Sequence, residues 1–265
     1  MRIGTAGWAI SREAASSFPG DGHHLERYAA VLGCAEINSS FHRAHRSEVY
    51  RRWAAQTPPG FRFSVKVPRS ITHEGRLRRA REPLLRFLGE AAGLGDRLAV
   101  LLVQLPPSLE FEARPMRGFF ALLRELFGGA VVCEPRHPSW FSAGADRALA
   151  GCGVGRVGAD PARLPEAAEP GGWLGAAGDG RGAVVYYRWH GTPRVYWSRY
   201  DLAWLATRAQ RLKRWPAGAD CWCIFDNTAG GGAISNALEL GAMLAANARA
   251  DRARCEQEAT TPIRS

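Results

Sequence analysis

Short apolar runs rich in β-branched residues recur along the chain, at residues 2–5, 34–38, 61–67, 98–105, 130–136, 154–160, 184–190 and 221–227. Their starts lie roughly thirty residues apart, the length of a βαβ repeat. Between them the apolar period lengthens to that of a helix. Leu25, Tyr28, Ala29 and Leu32 share one helical face, as do Met116, Phe119, Phe120 and Leu123, then Leu202, Leu205, Ala206 and Ala209, and more weakly Ile234, Ala237, Leu238 and Gly241. Strands alternating with helices imply parallel pairing, because each crossover returns the chain to the same end of the sheet. Eight such units predict the α/β class and a single (β/α)8 barrel of TIM type over residues 1–248, with 249–265 as a frayed polar tail. An open doubly wound sheet is disfavoured, because Gly4-Thr5-Ala6-Gly7-Trp8 lacks the GxGxxG spacing of a dinucleotide site. The sixth unit is the weakest, and residues 161–182, rich in Gly, Pro and Glu, carry no clear period.

The length of 265 residues suits one such barrel. No apolar run approaches the roughly 18 residues that span a bilayer, and Met1-Arg2-Ile3-Gly4 enters a strand-like segment, so a soluble cytoplasmic protein with no membrane partner is expected. Six scattered cysteines form no CxxC pair, which favours reduced, buried thiols. The net charge of +10 raises nucleic acid as a partner, yet only Lys66 and Lys213 among 35 basic residues are lysines. GC-rich coding would produce the same Arg-rich balance.

Polarity sharpens the picture. In a barrel of this kind the site forms where strands end, and here the polar residues concentrate at those ends: Glu36, Asn38, Lys66, Gln104, Glu134, Arg136, Asp160, Arg188, His190, Asp226 and Asn227. Buried charges in such number must pair with one another, meet water or meet a ligand. Glu134-Pro135-Arg136-His137-Pro138-Ser139-Trp140 is the densest stretch, joining a carboxylate, a guanidinium suited to a bidentate anion and an imidazole that titrates near neutrality. Arg188-Trp189-His190-Gly191 repeats the theme. Asn227-Thr228-Ala229-Gly230-Gly231-Gly232 enters a helix where this fold often binds phosphate, without a Walker ending. There is no nucleotide-cofactor motif and no GxSxG elbow. A divalent metal is weakly signalled, because Glu36, His73, Glu134, Asp160, His190 and Asp226 offer ligands without metal-type spacing.

These motifs, taken in order, resemble the YecE-like family, known as domain of unknown function 72. The carriers are Ile3-Gly4-Thr5-Ala6-Gly7-Trp8, Glu36-Ile37-Asn38-Ser39-Ser40-Phe41, Phe63-Ser64-Val65-Lys66 with Thr72-His73, Gln104-Leu105-Pro106-Pro107-Ser108, Glu134 to Trp140, Arg188 to Gly191 and Phe225-Asp226-Asn227. The resemblance implies an α/β barrel and leaves the biochemistry unsettled. Ala6, His42, Pro135 and Asp226 depart from the family pattern, and Asp226 adds a carboxylate to the mouth.

The reading that unites these features is an enzyme acting by general acid–base chemistry on a small anionic substrate, such as a phosphate ester, with hydrolase-type activity favoured. Glu134, His137 and His190 are the expected catalytic groups; Asn38, Lys66, His73, Gln104, Arg136, Arg188, Asp226 and Asn227 are expected to bind substrate. Two rivals stand beside it: a nucleic-acid-binding or phosphodiester-cleaving protein, and a non-catalytic ligand-binding or structural barrel.

Overall fold

Apart from a register shift between Phe63 and Ser64, inward and outward residues alternate along the strands, and the inward set changes from apolar to charged towards one end. The computed structural model describes residues 1–174, 184–216 and 219–260. Among the described residues ten strands form one sheet: β1 (Arg2–Ala6), β2 (Cys34–Ile37), β3 (Arg62–Lys66), β4 (Leu98–Gln104), β5 (Ala130–Glu134), β6 (Gly155–Arg156), β7 (Gly158–Asp160), β8 (Gly171–Gly172), β9 (Val184–Trp189) and β10 (Asp220–Phe225). Their order is β7-β9-β10-β1-β2-β3-β4-β5-β6-β8, and every pairing is parallel except β6 with β8. The result is a nearly closed barrel.

The expectation of eight regular strands needs correction at the sixth. Residues 154–160 split at Val157: β6 pairs with β5, while β7 pairs with β9 on the other side. Glycine permits this. A Cβ on Gly155 would press within 3.2 Å of the Trp173 and Val184 carbonyls, and one on Gly158 would lie 2.8 Å from Pro170 Cδ. Side chains there would hold the neighbouring segments apart, so the chain after β7 returns to add the short antiparallel β8. Of the irregular stretch 161–182, residues 175–182 lie outside the described residues.

Helices α1 (His24–Ala29), α2 (Ser47–Ala55), α3 (Arg81–Ala91), α4 (Ala113–Leu126), α5 (Ala143–Gly151), α6 (Leu202–Leu212) and α7 (Gly232–Thr260) fill the crossovers. On α4 the predicted face of Met116, Phe119, Phe120 and Leu123 is buried. On α6 the buried face is Leu205, Ala209 and Leu212, whereas Leu202 and Ala206 are exposed. The C-terminal boundary also moves. Helix α7 continues past Ala248 to Thr260, through a run of Ala, Arg and Glu, which are strong helix formers. Among the described residues no helix is long and apolar enough to cross a membrane.

Two apolar layers result. The larger lies between strands and helices; the smaller fills the barrel with Cys34, Val100, Leu102, Ala130, Val132, Val157, Val184, Tyr186, Trp222 and Ile224. Within it Tyr186 stacks on Trp222 at 5.8 Å, and its hydroxyl lies 2.6 Å from Ser64 Oγ. That pair is the floor on which the charged layer rests.

Candidate functional site at the barrel mouth

Positions at or just beyond the C-terminal ends of six strands supply the site: Glu36 and Asn38 from β2, Lys66 from β3, Gln104 from β4, Glu134 and Arg136 from β5, Arg188 and His190 from β9, Asp226 and Asn227 from β10. The register makes them neighbours, since Gln104 pairs with Glu134 and Ile224 with Arg188 across adjacent strands. At the centre is Arg188, fully buried. Its Nε donates to Glu36 Oε2 at 3.0 Å, Nη2 to Glu36 Oε1 at 2.7 Å and Asp226 Oδ2 at 2.9 Å, and Nη1 to Glu134 Oε2 at 2.6 Å. From the floor, Tyr186 donates its hydroxyl to Glu36 Oε2 at 2.9 Å. Burial and the adjacent Glu36 raise that phenol well above its ordinary value, so it stays a donor.

Above Arg188 runs a carboxylate–imidazole–carboxylate string. His190 Nε2 lies 2.9 Å from Glu134 Oε1, and Nδ1 lies 2.9 Å from Asp226 Oδ2. Arg136 closes it, with Nη2 2.7 Å from Glu134 Oε1 and 3.3 Å from His190 Nε2. Burial pushes the Glu134 carboxyl up, but Arg136, Arg188 and His190 together outweigh it and hold it well below the carboxylate range. Asp226 follows the same balance: burial raises it, and Arg188, His190 and Lys66 bring it down. Burial, then Lys66, Arg69 and Arg136, lower His73 to about 4.

These shifts set an acid limit. All three groups have folded values below their ordinary ones, so the stability they contribute is complete above those ordinary values and is lost as pH falls towards the folded ones. Urea midpoints are expected to hold from pH 8 to about 6.5, decline gently as His73 gains a proton in the unfolded chain, and drop steeply once pH passes below about 4 and the carboxylates follow. Midpoints flat to pH 3 would show that the mouth charges do not contribute as their geometry implies.

The expected site residues are thus largely brought together, with three changes of role. Arg188, expected to grip substrate, commits its guanidinium to three carboxylates and has no exposed surface. His137 is turned away: its Nδ1 caps the turn Pro138–Phe141 through Ser139, and its Nε2 faces Glu110 at 4.0 Å. Pro138 begins that turn and directs the side chain off the strand. Asn227 donates to Ser198 O and Asn236 Oδ1, which ties the mouth to the loop after β9 and to α7. Lys66, His73, Gln104, Arg136 and Asn38 remain around the opening, and Asn38 donates to Asp226 Oδ1 at 3.4 Å. Asp160 belongs elsewhere, accepting from Tyr200 and Thr192.

The glycine-rich turn has a packing explanation. A Cβ on Gly230 would collide with the Trp197 carbonyl, Gly231 has φ +74°, and a Cβ on Gly232 would stand 3.1 Å from Arg199 Cβ. The Ala229 and Gly231 N–H groups donate to Tyr196 O and Thr228 O rather than facing outward. Two participants escaped sequence reasoning. Tyr186 was legible as the residue two before Arg188 on the same face; Tyr196, whose ring stands 5.8 Å from His190, carries no such signal because it sits in a loop with φ +67°.

The carboxylates converge on a guanidinium, and among the described residues no three His, Cys, Asp or Glu side chains are grouped to hold a metal. A wide cleft elsewhere, lined by Leu77, Arg79, Arg114 and Leu122, shares no residue with the mouth. A smaller pocket opens beside Arg136 and His190, bounded by Pro135, Phe141 and Arg163.

The family described as protein of unknown function DUF72 matches residues 2–260. The chain belongs to the DUF72 family. Among curated relatives, UPF0759 protein YecE of Escherichia coli strain K12 is 34% identical over 139 residues, 50% of each chain, and that of strain O157:H7 is 33% identical over 121 residues, 45% of this chain and 44% of the relative. The aligned region thus spans about half the length of these relatives. A crystal structure of a DUF72 family protein from Thermotoga maritima MSB8 superposes with a TM-score of 0.73 at 24% identity, covering 92% of this chain and 98% of that one. One from Enterococcus faecalis V583 gives 0.73 at 20% identity, covering 92% and 94%. At these identities the structures establish the DUF72 fold.

Proposed function

We propose that this DUF72 protein is an enzyme that binds a small anion at the barrel mouth and acts on it by general acid–base chemistry. In this reading β6 and β7 are two halves of one strand of an eight-stranded (β/α)8 barrel, and the mouth is its catalytic face. The carrying observation is that cationic groups with unspent donors adjoin a proton-sharing string. Among the described residues no hydrogen bond or ion pair closes on Lys66 Nζ, and Arg136 Nε is buried without a partner. Asn38 Oδ1 and Asn227 Oδ1 are likewise buried and unpartnered. Buried polar atoms are rarely left so, which supports a polar ligand at this opening.

The roles divide by what each group has left to offer. Arg136 and Lys66 hold the anion, and His73, Gln104, Asn38 and Asn227 orient it. Glu134 accepts the proton from the reacting group, and His190, within hydrogen-bond distance of both Glu134 and Asp226, is placed to share it. Arg188 acts from beneath, keeping Glu134 and Asp226 ionised and ready.

Inorganic phosphate is the direct probe. Calorimetric titration is expected to show binding, weakened about tenfold or more in Arg136→Ala, since a charge-assisted hydrogen bond is worth about 1.5–3 kcal/mol and about 1.4 kcal/mol is tenfold. Absence of binding to the wild type, or equal binding to the variant, would overturn the anion site.

A further inference from the structure

Among the described residues, Lys66 is the one mouth cation that the charged layer leaves over. It occupies the inward register of β3, two residues beyond Ser64, whose hydroxyl meets Tyr186 inside the barrel. The carboxylates near enough to influence it are already engaged: Glu36 by Arg188 and Tyr186, Glu134 by Arg188, Arg136 and His190, and Asp226 by Arg188 and His190. With only 7% of the residue exposed, its ammonium rests 4.0 Å from the centre of the Phe41 ring. Composition adds an independent pointer. In a chain where 33 of 35 basic residues are arginine, the inward end of β3 carries a primary amine. Arginine would serve better for a fixed charge or a bidentate anion clamp; what lysine alone supplies is an amine that can lose its proton and attack carbon.

We propose that Lys66 is a nucleophilic amine that forms an imine with a small anionic carbonyl compound, a 2-oxo acid or an aldehyde acid, seated at the mouth against Arg136 and the Glu134–His190 pair. The proposal deepens the anion-site reading and rests on it. In the step, the Nζ lone pair bonds to the carbonyl carbon while the C=O π pair moves to oxygen, which takes a proton from the Glu134–His190 string. In the adduct the nitrogen carries two protons: one passes through the string to the new hydroxyl, which departs as water as the nitrogen lone pair forms the C=N bond, and the other returns to the string. Amine and carbonyl thus become imine and water, with no oxidant or reductant. Burial, with Arg188 added, brings the ammonium down to about 8 against the pull of the three carboxylates, so an appreciable fraction of the amine is free near neutral pH.

The chain's own composition makes the test clean, because Lys213 on the far end of α6 is the internal reference. The full-length protein is incubated with glyoxylate and sodium cyanoborohydride, whose hydride reduces any imine to a stable carboxymethyl amine, and the label is mapped by peptide mass spectrometry. Expected is at least tenfold faster labelling of Lys66 than of Lys213 at pH 7.5, slowed by inorganic phosphate, with no label at that position in Lys66→Arg. Labelling of Lys66 no faster than Lys213 while phosphate binds would overturn the imine and leave the anion site standing. Fast labelling of Lys66 that phosphate does not slow would overturn the anion site, and with it the anionic half of the substrate class. A pH profile of the labelling rate separates this role from a structural cation: a midpoint near 8 supports it, and one in the ordinary lysine range overturns it.

Discussion

Replacing Arg188 by Met is expected to cost about 3–5 kcal/mol of folding stability, the usual penalty for leaving a buried charge without its partner. Here the variant takes the guanidinium from three carboxylates at once: Glu134 keeps Arg136 and His190, and Asp226 keeps His190, but Glu36 loses its ion pair. Glu36 and Glu134 are buried at the barrel centre and Asp226 nearly so, and each takes at least one guanidinium hydrogen bond. Lysine is not an adequate substitute, since one ammonium cannot reach the three carboxylates that the planar fork spans, and Arg188→Lys is expected to fall between wild type and Met. Against a typical domain stability of about 5–15 kcal/mol, a loss of this size moves the urea midpoint far towards zero. An Arg188→Met midpoint within error of wild type would mean that the carboxylates take up protons at little cost. The depressed position of Glu134 and Asp226 would then have another origin.

The second large effect concerns chemistry. Glu134→Gln keeps an oxygen for Arg188 Nη1 but removes the ability to accept a proton, and His190→Gln removes the ring that links Glu134 to Asp226. Each is expected to slow turnover of an activated anionic ester such as p-nitrophenyl phosphate by about 10²–10⁴-fold, the range for loss of a general acid or base. The binding of inorganic phosphate is expected to change far less, because Arg136 and Lys66 remain. Circular dichroism of both variants checks that the barrel persists. Unchanged turnover in Glu134→Gln with an intact fold would remove that residue from the proton path.

Arg188 and His137 show how sequence and structure share the information. Both stand in polar strand-end motifs, and by sequence spacing alone both belong to the mouth. Alternation places Arg188 inward with His190, and that holds because a strand's period of two is a local property of the backbone. Nothing local says that Arg188 will sink to full burial among three carboxylates. Those come from β2, from β5 and from the chain just after β10, and their meeting depends on barrel closure. His137 lies one residue beyond the strand's inward Arg136, where Pro138 turns the chain and the period no longer applies.

The sequence by itself determined the alternation of strands and helices, the inward faces and the gathering of charge at the strand ends, because each follows from periodicity along a short stretch. It also marked Lys66 as one of two lysines in an arginine-rich chain. Only the tertiary structure decided which charges neutralise one another, that the sixth predicted strand divides at Val157, that the triple glycine serves packing against residues 196–199, and that, among the described residues, Lys66 is left without an ion pair. These depend on distances between segments far apart in the chain, where a shift of about an ångström separates a hydrogen-bonded pair from an uncompensated charge.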